Sequence, residues 1–167
     1  MASRLIFDPI VMLRAAPLVS ATCTLLYASD QDFFLGILNR PENRTHSRPL
    51  LPSYFNTFFH RGVLFVVGSL AVTTWSSIAN LYVCRPALVA KHSLWWYAAT
   101  AAFSVGHLLF VPVIAPSVKA ILDAEKERTD ANASLDKWLS INRIRMLTVD
   151  FAAWATCVVA VTRTLEA

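Results

Sequence analysis

The sequence predicts an all-α integral membrane protein, a bundle of four antiparallel transmembrane helices with aromatic interfacial segments between the first and second. Three observations carry that reading. Hydrophobic residues make up 56% of the 167-residue chain and charged residues only 16%, against about a quarter charged in soluble domains; mean hydropathy is +0.49. Three apolar stretches, 62–83, 94–115 and 146–162, each approach the ~20 residues a helix needs to cross about 30 Å of hydrocarbon. A fourth, 9–28, is apolar apart from Arg14 and its helix-interrupting Pro17. No Gly/Ser-rich or Pro-rich linker divides the chain, so residues 1–167 read as a single membrane domain.

The first span, 9–28, competes with a cleaved signal peptide. Asp8 precedes its apolar core and Arg14 sits inside it, so a retained helix is expected. The long connection that follows contains Pro41, Pro49 and Pro52 and cannot be continuous helix. Its flanks, FFLGIL and YFNTFF, have the aromatic, amphipathic character of interfacial segments. In the second span, 62–83, Ser69, Thr73, Ser76 and Asn80 share one sector with Gly68 and Ala71 close by, a pattern of close helix packing. The ten-residue connection CRPALVAKHS forces the third span, 94–115, to run antiparallel to the second. Pro112 and Pro116 end that third helix irregularly. The charged segment after it has helical spacing and is expected to extend it outward, turning near Asn132, with Ser134 capping a fourth helix whose span is 143–163.

Cys23, Cys84 and Cys157 are scattered without a CxxC or Cys/His cluster, which points to small buried hydrophobes and away from a disulfide framework or metal site. The formal charge of +4 comes from loops beside the spans, so it bears on membrane orientation, not on nucleic acid. Connections one and three carry ten Lys and Arg; the opposite side carries four (Arg4, Arg85, Lys91, Arg163), with Arg14 inside a helix. By the positive-inside rule the richer side is cytoplasmic. The sequons at Asn43 and Asn132 lie on that same side, where they would go unused. An integral membrane location is expected, with the endoplasmic reticulum as the candidate compartment; the oligomeric state is left open.

The candidate chemistry lies in polar residues within the spans. At about 100° per residue, Trp138, Asn142 and Arg145 align on one stripe of the fourth helix, while Arg143 and Asp150 fall on another face. The stripe supplies an aromatic plate, an amide and a permanent cation. The plain alternative for Arg143 and Arg145 is interfacial snorkelling. Asp150, more than a turn inside, should pair with a basic residue such as Arg14 or Arg143, or else move protons. On the third helix Tyr97, Thr100, Ser104 and His107 recur along one side. His107 is either an interhelical hydrogen-bonder or a base, since a neutral imidazole is cheap to bury. His60 and Arg61 stand at the entrance of the second helix, capping a pocket or resting among headgroups. The site expected from these residues has His107, Arg145 and Asn142 as catalytic groups, and Trp138, Tyr97, His60, Ser104 and Trp75 as substrate contacts. No nucleotide-binding, zinc-protease, hydrolase or haem motif occurs, so no tightly bound cofactor or metal is expected.

The final KWLSINRIRMLTVDFAAWATCVVA, of Trp-x3-Asn-x2-Arg form, and the FVPVIAPSVKAIL that closes the third helix resemble the anthrone oxygenase-like family of small integral membrane proteins. The resemblance runs from Tyr54 onward and is best in the last stretch, where Trp138, Asn142 and Arg145 coincide with the family's motif. It implies oxidation of an anthrone to an anthraquinone by O₂ without an evident cofactor. Such a reaction needs a base, a cation to hold a phenolate and an apolar slot. The chain departs from the family's late-helix Thr and post-proline Asn, reading His107-Leu-Leu-Phe-Val and Pro116-Ser117 instead. The departure bears on the anthrone substrate and leaves the architecture intact, and it keeps a cyclase or isomerase of a lipophilic intermediate as the alternative to the oxygenase. A non-catalytic scaffold docking soluble enzymes on its charged third connection is the reading from another class.

Overall fold

The computed structural model describes residues 8–165; Arg4, counted in the charge balance, lies outside them. Asp8 caps α1 (Pro9–Leu38) by accepting from the Ile10 amide at 2.8 Å, with Pro9 in the first turn where no amide is needed. A short α2 (Arg44–Ser47) leads to α3 (Leu51–Val83), and α4 (Arg85–Ala90) leads to α5 (Leu94–Gly106). A 3₁₀ turn, His107–Phe110, joins α5 to α6 (Val111–Leu122); α7 (Ala124–Glu127) precedes α8 (Ala131–Arg145). A π turn, Met146–Asp150, then joins α8 to α9 (Phe151–Leu165).

Among the described residues, four helices are long and apolar enough to cross a membrane: Pro9–Leu38, Leu51–Val83, Leu94–Leu122 and Ala131–Leu165. They form a ring in which α1 packs on α3 and α9, and α5 packs on the same two. Pro17 is accommodated inside α1, which it does not interrupt. All four helices exceed their apolar runs. At about 1.5 Å per residue they are roughly 44–52 Å long, against about 30 Å of hydrocarbon. The excess lies at one end: residues 29–38, 51–61, 116–122 and 131–145 extend together beyond the apolar level. FFLGIL and YFNTFF are therefore the last turn of α1 and the first turns of α3, leaving a connection of residues 39–50.

Two cores result. The extension holds Leu35, Leu51, Phe55, Ile121, Leu135 and Trp138, packed as in a soluble helical domain. The opposite end holds Cys84, Leu88, Tyr97, Cys157, Ala160 and Val161. Between them the outward faces carry Leu64, Trp75 and Leu109, at 76%, 68% and 75% exposure, an apolar belt of the kind that lipid covers. Cys84 and Cys157 are buried as expected, but Cys23 is exposed because it lies on the outward face of α1.

Asp130, not Ser134, caps α8, its carboxylate accepting from the Asn132 amide at 3.0 Å. Asn132 is 2% exposed. Its side-chain nitrogen donates to Asn39 Oδ1 at 2.7 Å and Ser47 Oγ at 3.1 Å, tying the first connection to α8. Both amide hydrogens are committed inside the fold, so a glycan on this sequon is incompatible with it. Asn132→Ala should lower unfolding stability by about 1–3 kcal/mol, because it strands buried acceptors; thermal melts in detergent measure this.

Candidate active site

Pro112 sets the geometry of His107. Its ring crowds the carbonyl four residues back and it offers no amide hydrogen. The helix therefore tightens into the 3₁₀ turn His107–Phe110, and the Leu108 carbonyl takes the Val111 amide instead. His107, at the start of that turn, is 5% exposed.

On the facing helix the π turn does comparable work. In a regular α-helix, residues five apart point about 140° away from each other, whereas the wider i→i+5 turn brings them toward the same side. Arg145 and Asp150 are five apart across Met146–Asp150, and both turn inward. Asp150 thus leaves the face that an unbroken helical wheel assigns it. It pairs with neither Arg14 nor Arg143.

The resulting chain is continuous. Asp150 Oδ1 accepts from His107 Nδ1 at 2.8 Å, and Asp150 Oδ2 lies 3.2 Å from Arg145 Nε, an ion pair short of good hydrogen-bond alignment. Arg145 Nη1 donates to His107 Nε2 at 3.1 Å, and Nη2 donates to Asn142 Oδ1 at 2.7 Å. Asn142 Nδ2 in turn donates to the Ala28 carbonyl at 3.2 Å, anchoring the chain to α1. A carboxylate only accepts and a guanidinium only donates. With Asp150 as the carboxylate, these contacts fit an imidazole whose proton is on Nδ1 and whose Nε2 lone pair faces Arg145. One carboxylate and one guanidinium cancel, which is the condition under which charges survive burial.

His107 and Arg145 form the polar wall of a cavity of about 460 Å³, whose remaining surface includes Phe58, Phe59, Val63, Val66, Val111 and Ile114. The cavity straddles the level where the apolar belt meets the extension. Lys119, at its edge, is exposed. A larger recess of about 700 Å³ between α1 and α3 is lined by residues such as Ala15, Ala16, Leu64 and Val72, with no acid–base pair. The acid–base groups line the smaller space.

Of the residues expected at the site, the structure brings His107, Arg145, Asn142 and Trp138 together, with Asn142 behind Arg145 and out of the cavity. Trp138 lines the cavity, but its ring is packed edge-on against Phe55 at 5.7 Å and does not lie free as a stacking plate. Tyr97 is not there: fully buried at the opposite end, it donates to the Arg14 carbonyl at 3.0 Å. Trp75 faces outward at 68% exposure. Ser104 lies behind Asp150, both lining a void of about 10 Å³. His60 is exposed beside Phe59, its Nδ1 bonded to the Asn56 carbonyl at 2.8 Å. Gln31, which lines the cavity, is absent from the sequence-derived reading, whereas Asp150, read there as a pairing or proton-moving residue, is brought against His107 and Arg145.

Arg143 pairs with Asp32 at 3.1 Å, at 57% and 22% side-chain exposure. Exposed pairs contribute about 0–1 kcal/mol, so Arg143→Met should leave turnover within about twofold and barely move the melting temperature. That variant is the control for Arg145.

No protein-family model matches the chain, and no solved structure does. Two fungal proteins align over nearly its whole length. One, named Epoxidase pydX, from Acremonium sp, is 26% identical over 161 residues, covering 96% of this chain and 99% of its own. The other, named Epoxidase gkaX, from Penicillium citrinum, is 29% identical over 149 residues, covering 89% and 92%.

Proposed function

We propose that the protein is a membrane-embedded oxygenase that acts, without a tightly bound cofactor, on a lipophilic natural-product intermediate with an acidic C–H, of the anthrone type. The observation that carries this is the Asp150–His107–Arg145 chain on the wall of an apolar cavity. The epoxidase names of the similar proteins support an oxygen-transferring role, and the Trp138, Asn142, Arg145 motif supports the anthrone oxygenase-like reading.

In this mechanism the substrate oxygen displaces Arg145 Nη1 from His107 Nε2. The freed lone pair takes the proton, and Arg145, held by Asn142 and Asp150, stays against the developing oxyanion. Asp150 keeps the imidazole oriented and stabilises the imidazolium. The anion reacts with O₂. For a methylene carried to a carbonyl, four electrons leave the carbon; one oxygen atom remains there and the other departs as water with both hydrogens. For an epoxide, the anion's hydroperoxide passes one oxygen atom to a C=C bond and keeps the other as a hydroxyl, so no external reductant is consumed.

The test is dioxygen uptake by the purified protein in nanodiscs with 1,8-dihydroxyanthrone, above the rate with heat-denatured protein. Stoichiometric uptake with quinone formation is expected. The same dyad would serve a cyclase or isomerase, a reading favoured by His107 standing where the family pattern differs. Product formation from the native substrate under strict anaerobiosis would replace the oxygenase reading with that one. The intermediate that accumulates in a deletion strain would identify the substrate.

A further inference from the structure

Besides Arg145, whose Nε faces Asp150 Oδ2, two residues lining the cavity carry a buried polar atom with no hydrogen-bond partner among the described residues: the Trp138 indole nitrogen and the Gln31 side-chain oxygen. Their residues are 3% and 6% exposed. Buried donors and acceptors are almost always paired, and leaving one unpaired is costly. Here the two residues that carry them, from different helices, α8 and α1, line one otherwise largely apolar cavity that also holds His107 and Arg145.

Neither group has a task in the fold that its polarity explains. The Trp138 ring is fixed by its edge-on packing against Phe55, a contact that phenylalanine could make. Its N–H is a fixed donor. Gln31 lies in the extension of α1, where an apolar residue of its size would pack, and its unpartnered atom is the amide oxygen, an acceptor.

We propose that Trp138 and Gln31 recognise the head of the substrate, Trp138 Nε1–H donating to a carbonyl oxygen and Gln31 accepting from an O–H or N–H beside it. The substrate class is an apolar, ring-sized body carrying a carbonyl with an adjacent hydrogen-bond donor, as in a lactam or a hydroxy-ketone. This deepens the proposed function and rests on it, since His107 and Arg145 then act on a neighbouring carbon of the same molecule.

Three planar tricycles without an acidic C–H separate the two contacts from turnover: fluorenone, which only accepts, carbazole, which only donates, and phenanthridinone, which does both. Calorimetric binding to the full chain in nanodiscs should show phenanthridinone about fivefold to tenfold tighter than either of the others, as one neutral hydrogen bond provides. Gln31→Leu should bring phenanthridinone down to the affinity of fluorenone, leaving fluorenone unchanged. Trp138→Phe should bring it down to the affinity of carbazole, leaving carbazole unchanged. The ligand that each variant leaves unchanged reports an intact pocket, and if Trp138→Phe fails to fold, the Gln31→Leu arm decides. Equal affinity for all three ligands, a preference that Gln31→Leu leaves intact, or no binding would overturn the assignment. Absence of dioxygen uptake alongside an intact ligand preference would sink the oxygenase reading and leave this recognition standing.

Discussion

His107→Gln is expected to lower turnover by about a thousandfold while leaving a folded, membrane-inserted protein. A positioned general base contributes roughly 10²–10⁴ in rate. Glutamine nearly matches the imidazole in volume and can still donate to Asp150 through its amide, so the buried Asp150–Arg145 pair survives. What disappears is the lone pair that Nε2 offers once Arg145 moves off it. Turnover measured at matched amounts of monodisperse protein, beside Arg143→Met as control, reads the effect. A His107→Gln protein with turnover within tenfold of wild type would remove His107 as the base. Arg145→Met is a less clean companion, because it strands the Asp150 carboxylate; Arg145→Lys keeps the charge and tests the fork geometry instead.

The four long helices were legible because runs of apolar residues near 20 in length have few other uses. Their polar extensions were harder to see. Helical spacing after Pro116 and from Ser134 onward did place helix on both sides of the third connection, but no hydropathy pattern marks residues 29–38 as continuous with the span before them. For the same reason SDQDFF, read as connection, proved to be the end of α1, and Gln31 within it went unnoticed. The Trp138, Asn142, Arg145 stripe was readable because α8 keeps regular α periodicity as far as Arg145. Asp150 stood out as a pairing or proton-moving residue, but its place beside His107 and Arg145 was not readable, because the next five residues abandon that periodicity. Periodicity also placed Tyr97 and Ser104 on the side of α5 that carries His107. It could not show that the cavity opens only at the end of that side, below the turn imposed by Pro112.

Asp150→Asn tests whether the carboxylate belongs to the chemistry or only to the bundle. Taken as a pairing residue on a remote face, Asp150 would lose stability first and activity second. In the structure it touches both His107 and Arg145, and an amide cannot satisfy both. With its oxygen toward His107 Nδ1, the new nitrogen faces Arg145 Nε, donor against donor. Flipped, it forces the imidazole proton onto Nε2, against Arg145 Nη1. Either way Arg145 keeps a buried charge without its counterion, a loss of about 3–5 kcal/mol when a buried pair is broken. The imidazolium formed on proton transfer also loses its stabilising charge, and the corresponding change in hydrolase triads lowers turnover by about 10⁴. We therefore expect Asp150→Asn to lower the melting temperature and, in the fraction that stays folded, to cut turnover by about 10²–10⁴. Because His107 and Asp150 act as one unit, the double variant with His107→Gln should be little slower than the worse single variant. Multiplicative losses in the double variant, or a folded Asp150→Asn protein with wild-type turnover, would show that Asp150 holds the helices together without taking part in proton transfer.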